Sequence, residues 1–209
     1  VRLDAPRLVA DLAAIVEANA RVFSPDAPSL PYARYDFIFH ITSTGRGGLE
    51  HLNATVLATP WTYFANDEGY RDLLVLAAHE HFHVWNVKRV RPTPLGPFDY
   101  QREALTSGLW VAEGWTSYFD ALVCVRSGLL SAPQYLTLLG KDLTRYAQVP
   151  GRNVQSVADA SRDAWIRLYR PDANTANRTV SYYLKGSLVA LCLDVRLLAG
   201  GCAGGLAGV

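Results

Sequence analysis

The stretch Ala77–Asn86, AAHEHFHVWN, predicts a helix around which the rest of the chain folds. It contains the pattern His79-Glu80-x-x-His83, with two histidines four residues apart. Residues at that spacing lie on one face of an α-helix about one turn from each other, so two imidazoles can bind one metal ion together. Glu80 follows the first histidine, where its carboxylate can reach a water molecule on that metal. The motif therefore predicts a metal-binding helix that also carries a general base.

Apolar residues surround the motif on a helix that we expect to begin at Asn66 or Asp67 and to end by Val90, before Pro92. A helix of this composition is buried, and buried histidines need a partner that replaces their lost hydration. The alternative is a surface helix with stray histidines. His81 lies two positions from each histidine of the motif and points to another face of the helix. We therefore expect it to face solvent or to contact the metal ligands without binding the metal itself.

A catalytic zinc site takes three protein ligands and leaves one position for water. Glu113, in Leu109–Phe119 (LWVAEGWTSYF), is the candidate for the third ligand. Its neighbours are apolar or aromatic, and a carboxylate removed from water must be paired, protonated or bound to metal. The alternative is a glutamate on a helix surface. We expect one Zn²⁺ per chain, although manganese, cobalt or iron can bind similar ligands.

Composition limits the class of protein. The chain has 209 residues, of which 50% are hydrophobic and 19% are charged, and this predicts a globular fold with a sizeable core. A net charge of +1 argues against a nucleic-acid partner held by bulk phosphate attraction, and no apolar run is long enough to predict a membrane span. Three distant cysteines argue against a disulfide framework. The absence of methionine and the start at Val1 indicate a piece of a longer polypeptide.

The periodicity of the chain predicts an α+β fold, with a small antiparallel sheet over the metal helix and a mostly helical half after it. We expect an N-terminal helix and linker over residues 1–31, a catalytic domain over 32–198, and a poorly ordered glycine-rich tail over 199–209. Arg34–Thr42 and Leu49–Thr59 are the predicted strands, and a glycine turn between them suggests an antiparallel pair. Further helices are predicted at residues 102–126, 133–147 and 181–198.

Four blocks make the sequence similar to a known family, and they occur in the order GGLEH (Gly47–His51), HEHFHVWNVKRVRP (His79–Pro92), LWVAEGWTSYF (Leu109–Phe119) and SYYLKG (Ser181–Gly186). Together they resemble the glycyl aminopeptidase family of gluzincin metallopeptidases, over about Tyr32 to Leu198. The resemblance implies a thermolysin-like gluzincin catalytic domain that acts on a peptide substrate with a free N-terminus. It also implies flanking domains outside this sequence, a β-rich one before it and commonly a PDZ domain after it.

The resemblance also implies roles for individual residues. His79, His83 and Glu113 correspond to the zinc ligands, and Glu80 corresponds to the general base. Tyr183 corresponds to the tyrosine of a Y-x-K-G pattern, which donates a hydrogen bond to the tetrahedral intermediate in the wider clan. Tyr182 is adjacent but has the wrong spacing to the lysine, and core packing is the alternative role for both tyrosines.

Gly47, Gly48 and Glu50 occupy the place of the G-x-M-E-N segment of related aminopeptidases, whose glutamate holds the substrate's α-amine. The correspondence is incomplete, because the last residue of the segment is His51 rather than asparagine. A glycine turn that leads into an edge strand can also bind an extended peptide by strand addition. The alternative is an ordinary hairpin with a solvated glutamate. The resemblance further implies a preference for glycine and alanine as the first residue.

The residues Asn86, Thr116 and Asp120 are candidates to orient the metal ligands.

Three other functions remain open at this stage. The chain can be a different gluzincin zinc hydrolase, such as an endopeptidase or an epoxide-opening enzyme, or a peptide-binding domain that zinc only stabilises. It can also be a fragment that binds zinc without turnover.

Overall fold

The computed structural model describes residues 3–208 and has a mixed α+β fold, as predicted. Within this range the strands are β1, β2 and β3, at Asp36–Thr42, Gly47–Glu50 and Ala54–Pro60. The α-helices, in chain order α1 to α7, are Ala5–Phe23, Asp67–Phe82, Thr116–Arg126, Ala132–Gln148, Val157–Arg162, Thr175–Arg178 and Tyr182–Ala199. None of the helices in the described part of the chain combines the length and the apolar character needed to cross a membrane.

A first compact unit contains the residues up to Arg89 together with Phe119–Tyr135. Helix α1 begins at an N-cap, Asp4, whose carboxylate accepts from the amide of Arg7 at 3.1 Å. The apolar stripe of α1 is buried, and Asn19 in that stripe reaches α2 by donating to the Ala78 carbonyl at 3.3 Å. The predicted N-terminal helix is thus present and lies in the same unit as the sheet and α2.

The sheet has the strand order β1-β3-β2 and is not purely antiparallel, so this part of the prediction was wrong. Residues 51–53 interrupt the predicted second strand, and His51 donates its amide to the Ala54 carbonyl at 2.8 Å across the turn. This turn makes β2 and β3 an antiparallel hairpin, from Gly47 opposite Ala58 to Glu50 opposite Thr55. Strand β1 occupies the other edge of β3 and pairs with it in parallel.

Helix α2 carries the metal-binding motif and is buried along most of its length. Asn66 caps it by accepting from the Gly69 amide at 2.8 Å, and Asp67 and Glu68 in the first turn complement the helix dipole. The helix ends at Phe82, earlier than predicted, because the chain then folds into a series of tight turns. In these turns the Lys88 amide donates to the His83 carbonyl at 3.0 Å.

A second compact unit contains Val90–Tyr118 and the residues from Leu136 onwards. Its π-helical segment Trp110–Trp115 continues directly into α3, whereas the predicted helix over residues 102–108 is absent. Helix α7 packs closely against this segment, since a β-carbon at Gly114 would lie 2.6 Å from the Gly186 Cα.

The glycine-rich stretch that follows α7 contains local structure up to Gly208. Residues Gly205–Gly208 form a 3₁₀ turn, and the Leu206 side chain is buried. The Leu206 amide donates to the Asp194 carboxylate on α7 at 2.6 Å. One buried leucine and one charge-assisted hydrogen bond thus hold a segment whose composition alone suggested disorder.

Candidate metal centre

His79 and His83 lie one turn apart on α2, as their spacing predicted. Their ring centroids are 4.8 Å apart with an interplanar angle of 84°, and both residues are buried. Two imidazoles that are close and removed from water can both reach one cation. The buried helix around them keeps bulk water from competing for that position.

The partners of the two rings fix which nitrogen can bind a metal. His83 Nδ1 lies 2.7 Å from the backbone carbonyl of Asn86, and His79 Nδ1 lies 3.1 Å from Asp120 Oδ2. A carbonyl and a carboxylate only accept, so we assign the proton of each ring to Nδ1. The Nε2 lone pair of each ring is therefore the one available to a metal ion.

The three candidate orienting residues differ in what they do. Asp120 contacts His79 through its side chain, whereas Asn86 contacts His83 through its main-chain carbonyl. The Thr116 hydroxyl donates to the Ala112 carbonyl at 2.7 Å, a bond inside its own helix. Because any residue type can supply a main-chain carbonyl, the sequence could not distinguish the contribution of Asn86.

The first unit supplies two donors for a metal ion. These are the buried imidazoles of His79 and His83 on one helix face, and Glu113 remains the predicted third ligand. Two imidazoles and one carboxylate form the donor set that catalytic zinc takes in many hydrolases, with a further position left for water. The residues present therefore fit a zinc ion.

Glu80 is buried on α2 beside strand β2, and its exposed fraction is 5%. Its carboxylate lies so close to Gly48 that a β-carbon at that position would overlap Oε1. Only glycine at position 48 lets the carboxylate lie against the strand. Gly48 thus has a steric role that the sequence motif did not predict.

Glu50 ends strand β2 and contacts a lysine from the turns after α2. Lys88 Nζ lies 3.0 Å from Glu50 Oε1, and each side chain is 19% exposed. One ligand atom each from Glu50, Glu80 and His83 also lie within 4.8 Å of one another. The sequence did not predict this pair, because Glu50 lies 38 positions before Lys88 in the chain (88 − 50).

His81 is fully buried, so the alternative that it faces solvent was wrong. Asn19 Nδ2 lies 3.0 Å from His81 Nδ1, and the Tyr32 hydroxyl lies 2.7 Å from Nε2. Because the amide donates to Nδ1, the ring proton is on Nε2 and points to Tyr32. Burial lowers the pKa of His81 to about 3, so the ring is neutral. Its function is to connect α2 to α1 and to the segment before β1.

Tyr183 lies in the first turn of α7, within the second unit. Its ring stacks on Tyr182 at 4.7 Å between centroids, and its hydroxyl lies 3.2 Å from the hydroxyl of Tyr169. Burial, followed by the charge of Glu113, raises the pKa of Tyr183 well above its ordinary value. The phenol therefore keeps its proton and remains a hydrogen-bond donor. Tyr169 was not predicted, because it belongs to none of the four sequence blocks.

The other two residues of the Y-x-K-G pattern have structural roles. Lys185 Nζ donates to the carbonyls of Arg152 and Gln155, at 2.9 Å and 3.0 Å. Gly186 allows the close approach of α7 to the π-helical segment at Gly114. Both contacts fix the start of α7 and hence the place of the tyrosines in this unit.

Residues 72–189 match the sequence model of the M61 glycyl aminopeptidase family. The chain belongs to this family of peptidases. A crystal structure of an aminopeptidase N family protein from Idiomarina loihiensis is similar to the chain, with 35% sequence identity and a TM-score of 0.89. The match covers 98% of this chain and 36% of that protein, so the chain spans about a third of the relative. None of the curated proteins compared with the chain matches it.

Proposed function

We propose that this chain is the catalytic core of a zinc-dependent aminopeptidase that hydrolyses the first peptide bond of substrates with a small N-terminal residue, glycine or alanine. The observation that carries the proposal is the pair of buried imidazoles of His79 and His83, whose ring centroids lie 4.8 Å apart on the helix that also carries Glu80. Membership of the M61 family supports peptide hydrolysis. The preference for glycine and alanine follows only from the resemblance to the glycyl aminopeptidase family.

A zinc ion held by the two Nε2 atoms and the Glu113 carboxylate would supply a Lewis acid that polarises the scissile carbonyl and lowers the pKa of bound water. Two contacts support this ligand set. Asp120 and the Asn86 carbonyl hold the Nδ1 protons of the two rings, so each ring is fixed in orientation and tautomer before a metal arrives.

Glu80 is the proposed general base. Its carboxylate accepts a proton from the attacking water and then transfers it to the nitrogen of the leaving amine. The lack of a side chain at Gly48 lets this carboxylate lie against strand β2, where the peptide is proposed to bind.

Tyr183 is proposed to donate its hydroxyl proton in a hydrogen bond to the oxyanion of the tetrahedral intermediate. Its raised pKa supports this role, because a neutral phenol donates and a phenolate cannot.

Glu50 and strand β2 are proposed to select a free amino terminus. Within residues 3–208, β2 is an edge strand of the sheet, and an extended peptide can add to such an edge through main-chain hydrogen bonds. Glu50 at the end of this strand would then accept from the α-ammonium group. Gly47 and Gly48 leave the strand without side chains where the peptide would lie.

The proposal is tested by metal analysis of the purified protein together with an assay on glycyl and alanyl anilides. We expect stoichiometric zinc, and we expect Glu80→Gln to keep the metal while kcat falls by about 10²- to 10⁴-fold. Glu103→Gln is the matched control, since that carboxylate is exposed. Full activity of Glu80→Gln, or protein without metal, would overturn the proposal. Equal rates on N-acetylated anilides would instead identify an endopeptidase-like specificity.

A further inference from the structure

The ion pair between Lys88 and Glu50 has no part in the proposed reaction. Lys88 Nζ lies 3.0 Å from Glu50 Oε1, and both side chains are 19% exposed. Glu50 is the carboxylate to which the proposed function assigns the substrate's α-ammonium group. A primary ammonium group of the protein therefore already contacts the expected amine anchor.

The backbone around Lys88 holds this lysine in place. The Lys88 amide donates to the His83 carbonyl at 3.0 Å, and the Arg89 guanidinium donates to the Val84 carbonyl at 2.6 Å. Val87, the residue before Lys88, has a φ of 156°, a value that β-branched residues rarely adopt. A backbone in such a conformation is held by the residues around it. The fold therefore places Lys88 next to Glu50.

The charges around Glu50 require a cation. One ligand atom each from Glu50, Glu80 and His83 lie within 4.8 Å of one another, so two carboxylates are close together and repel. A lysine side chain and a peptide N-terminus both end in an ammonium group with one positive charge and three N–H donors. Either group can offset the charge of Glu50, and the two would compete for the same oxygen.

We propose that Lys88 is a specificity-determining residue. Its ammonium group occupies the α-ammonium subsite at Glu50 in the free protein, and the free amino terminus of a substrate displaces it. The inference rests on the proposed function, because it takes Glu50 as the amine anchor. A substrate with an acylated amine carries no positive charge at that end, so it does not displace the Lys88 ammonium group from Glu50.

The test compares the binding of glycinamide and N-acetylglycinamide to the zinc-loaded protein by isothermal titration calorimetry. Lys88→Met removes the competing charge and keeps much of the side-chain length, so it should bind glycinamide about fivefold more tightly than the parent. Lys88→Arg keeps a cation and should bind it like the parent. Lys141→Met, on helix α4, is the matched control. Unchanged or weaker glycinamide binding by Lys88→Met, or no binding by any variant, overturns the inference.

A second measurement needs no substitution at the site. The chain contains three lysines, Lys88, Lys141 and Lys185, so lysine labelled with ¹³C at Cε gives a simple NMR spectrum. Glycinamide should shift the Lys88 signal and leave that of Lys185, whose ammonium group donates to two carbonyls elsewhere. A Lys88 signal that stays in place at saturating glycinamide overturns the inference.

The two measurements separate failure of this inference from failure of the proposed function. If glycinamide binds and moves the Lys88 signal while no variant hydrolyses glycyl anilides, the proposed reaction has failed and the amine exchange stands. If the parent hydrolyses glycyl anilides and Lys88→Met shows the same KM and glycinamide affinity, the inference alone has failed.

Discussion

Gly48 on strand β2 and Glu80 on helix α2 are in direct contact, and the space that a β-carbon would need at Gly48 is taken by the Glu80 carboxylate. The contact joins the strand proposed to bind the substrate backbone to the residue proposed to move the proton. The absence of a β-carbon at one position therefore determines how closely the Glu80 carboxylate approaches strand β2.

Gly48→Ala should displace the Glu80 carboxylate and lower kcat by about 10- to 100-fold, because a misplaced catalytic group loses most of its effect. Metal content should be unchanged, since the ligands lie on other residues. Steady-state kinetics on glycyl anilides measure the effect. Gly140→Ala in helix α4 is the control, because a β-carbon there also meets no atom within 4 Å. Parental kcat in Gly48→Ala would show that the contact is irrelevant to the reaction.

Asp120→Ala should weaken metal binding by about 10- to 100-fold, the usual effect of removing the partner of a metal-binding histidine. The buried Nδ1–H of His79 would lose its acceptor, and the ring would lose its fixed tautomer. Competition with a chromogenic chelator measures the change in affinity. Asp99→Asn, which alters an exposed ion pair with Arg102, is the control. Metal affinity equal to that of the parent would mean that Asp120 does not orient the ring.

The features that the sequence could predict are local. The spacing of His79 and His83 fixes their shared helix face whatever surrounds them. The start of α2 was predictable from its cap, Asn66, and the ends of α7 agree with the predicted residues 181–198 to within one residue. Each of these features depends on neighbours within about one helical turn, and a single sequence reports such neighbours directly.

The features that the sequence could not predict depend on partners far along the chain. Strand β3 lies between β1 and β2 and is parallel to β1, and strand composition carries no record of that order. The contacts of His81 with Asn19 and Tyr32, and of Lys88 with Glu50, span between 38 and 62 positions. Residue type alone identified none of these partners.

Gly114→Ala should lower the free energy of unfolding by about 1–3 kcal/mol, because a β-carbon 2.6 Å from the Gly186 Cα forces two backbones apart. Gly140→Ala in helix α4 is the matched control. A β-carbon there meets nothing within 4 Å, so the higher helix propensity of alanine should raise stability by about 0.5–1 kcal/mol. Urea unfolding midpoints measure both changes. Equal midpoints for the two variants would contradict the close packing of α7 on Trp110–Trp115.

Tyr183→Phe should lower kcat by about 10²- to 10³-fold through loss of the proposed oxyanion donor. The ratio of parental to variant kcat should also stay constant as the pH rises from about 8 to about 10.5. The reason is that burial, the largest cause, raises the pKa of Tyr183 above its ordinary value of 10.0, so the donating, protonated form persists at higher pH. A phenol with an ordinary pKa would lose half of its donors at about pH 10. Tyr100→Phe, at a residue that is 93% exposed, controls for general alkaline effects, and circular dichroism at each pH shows that the fold is intact. A ratio that falls with a midpoint near pH 10 would mean that the Tyr183 phenol ionises like a solvent-exposed one, and that Glu113 and burial do not hold its proton.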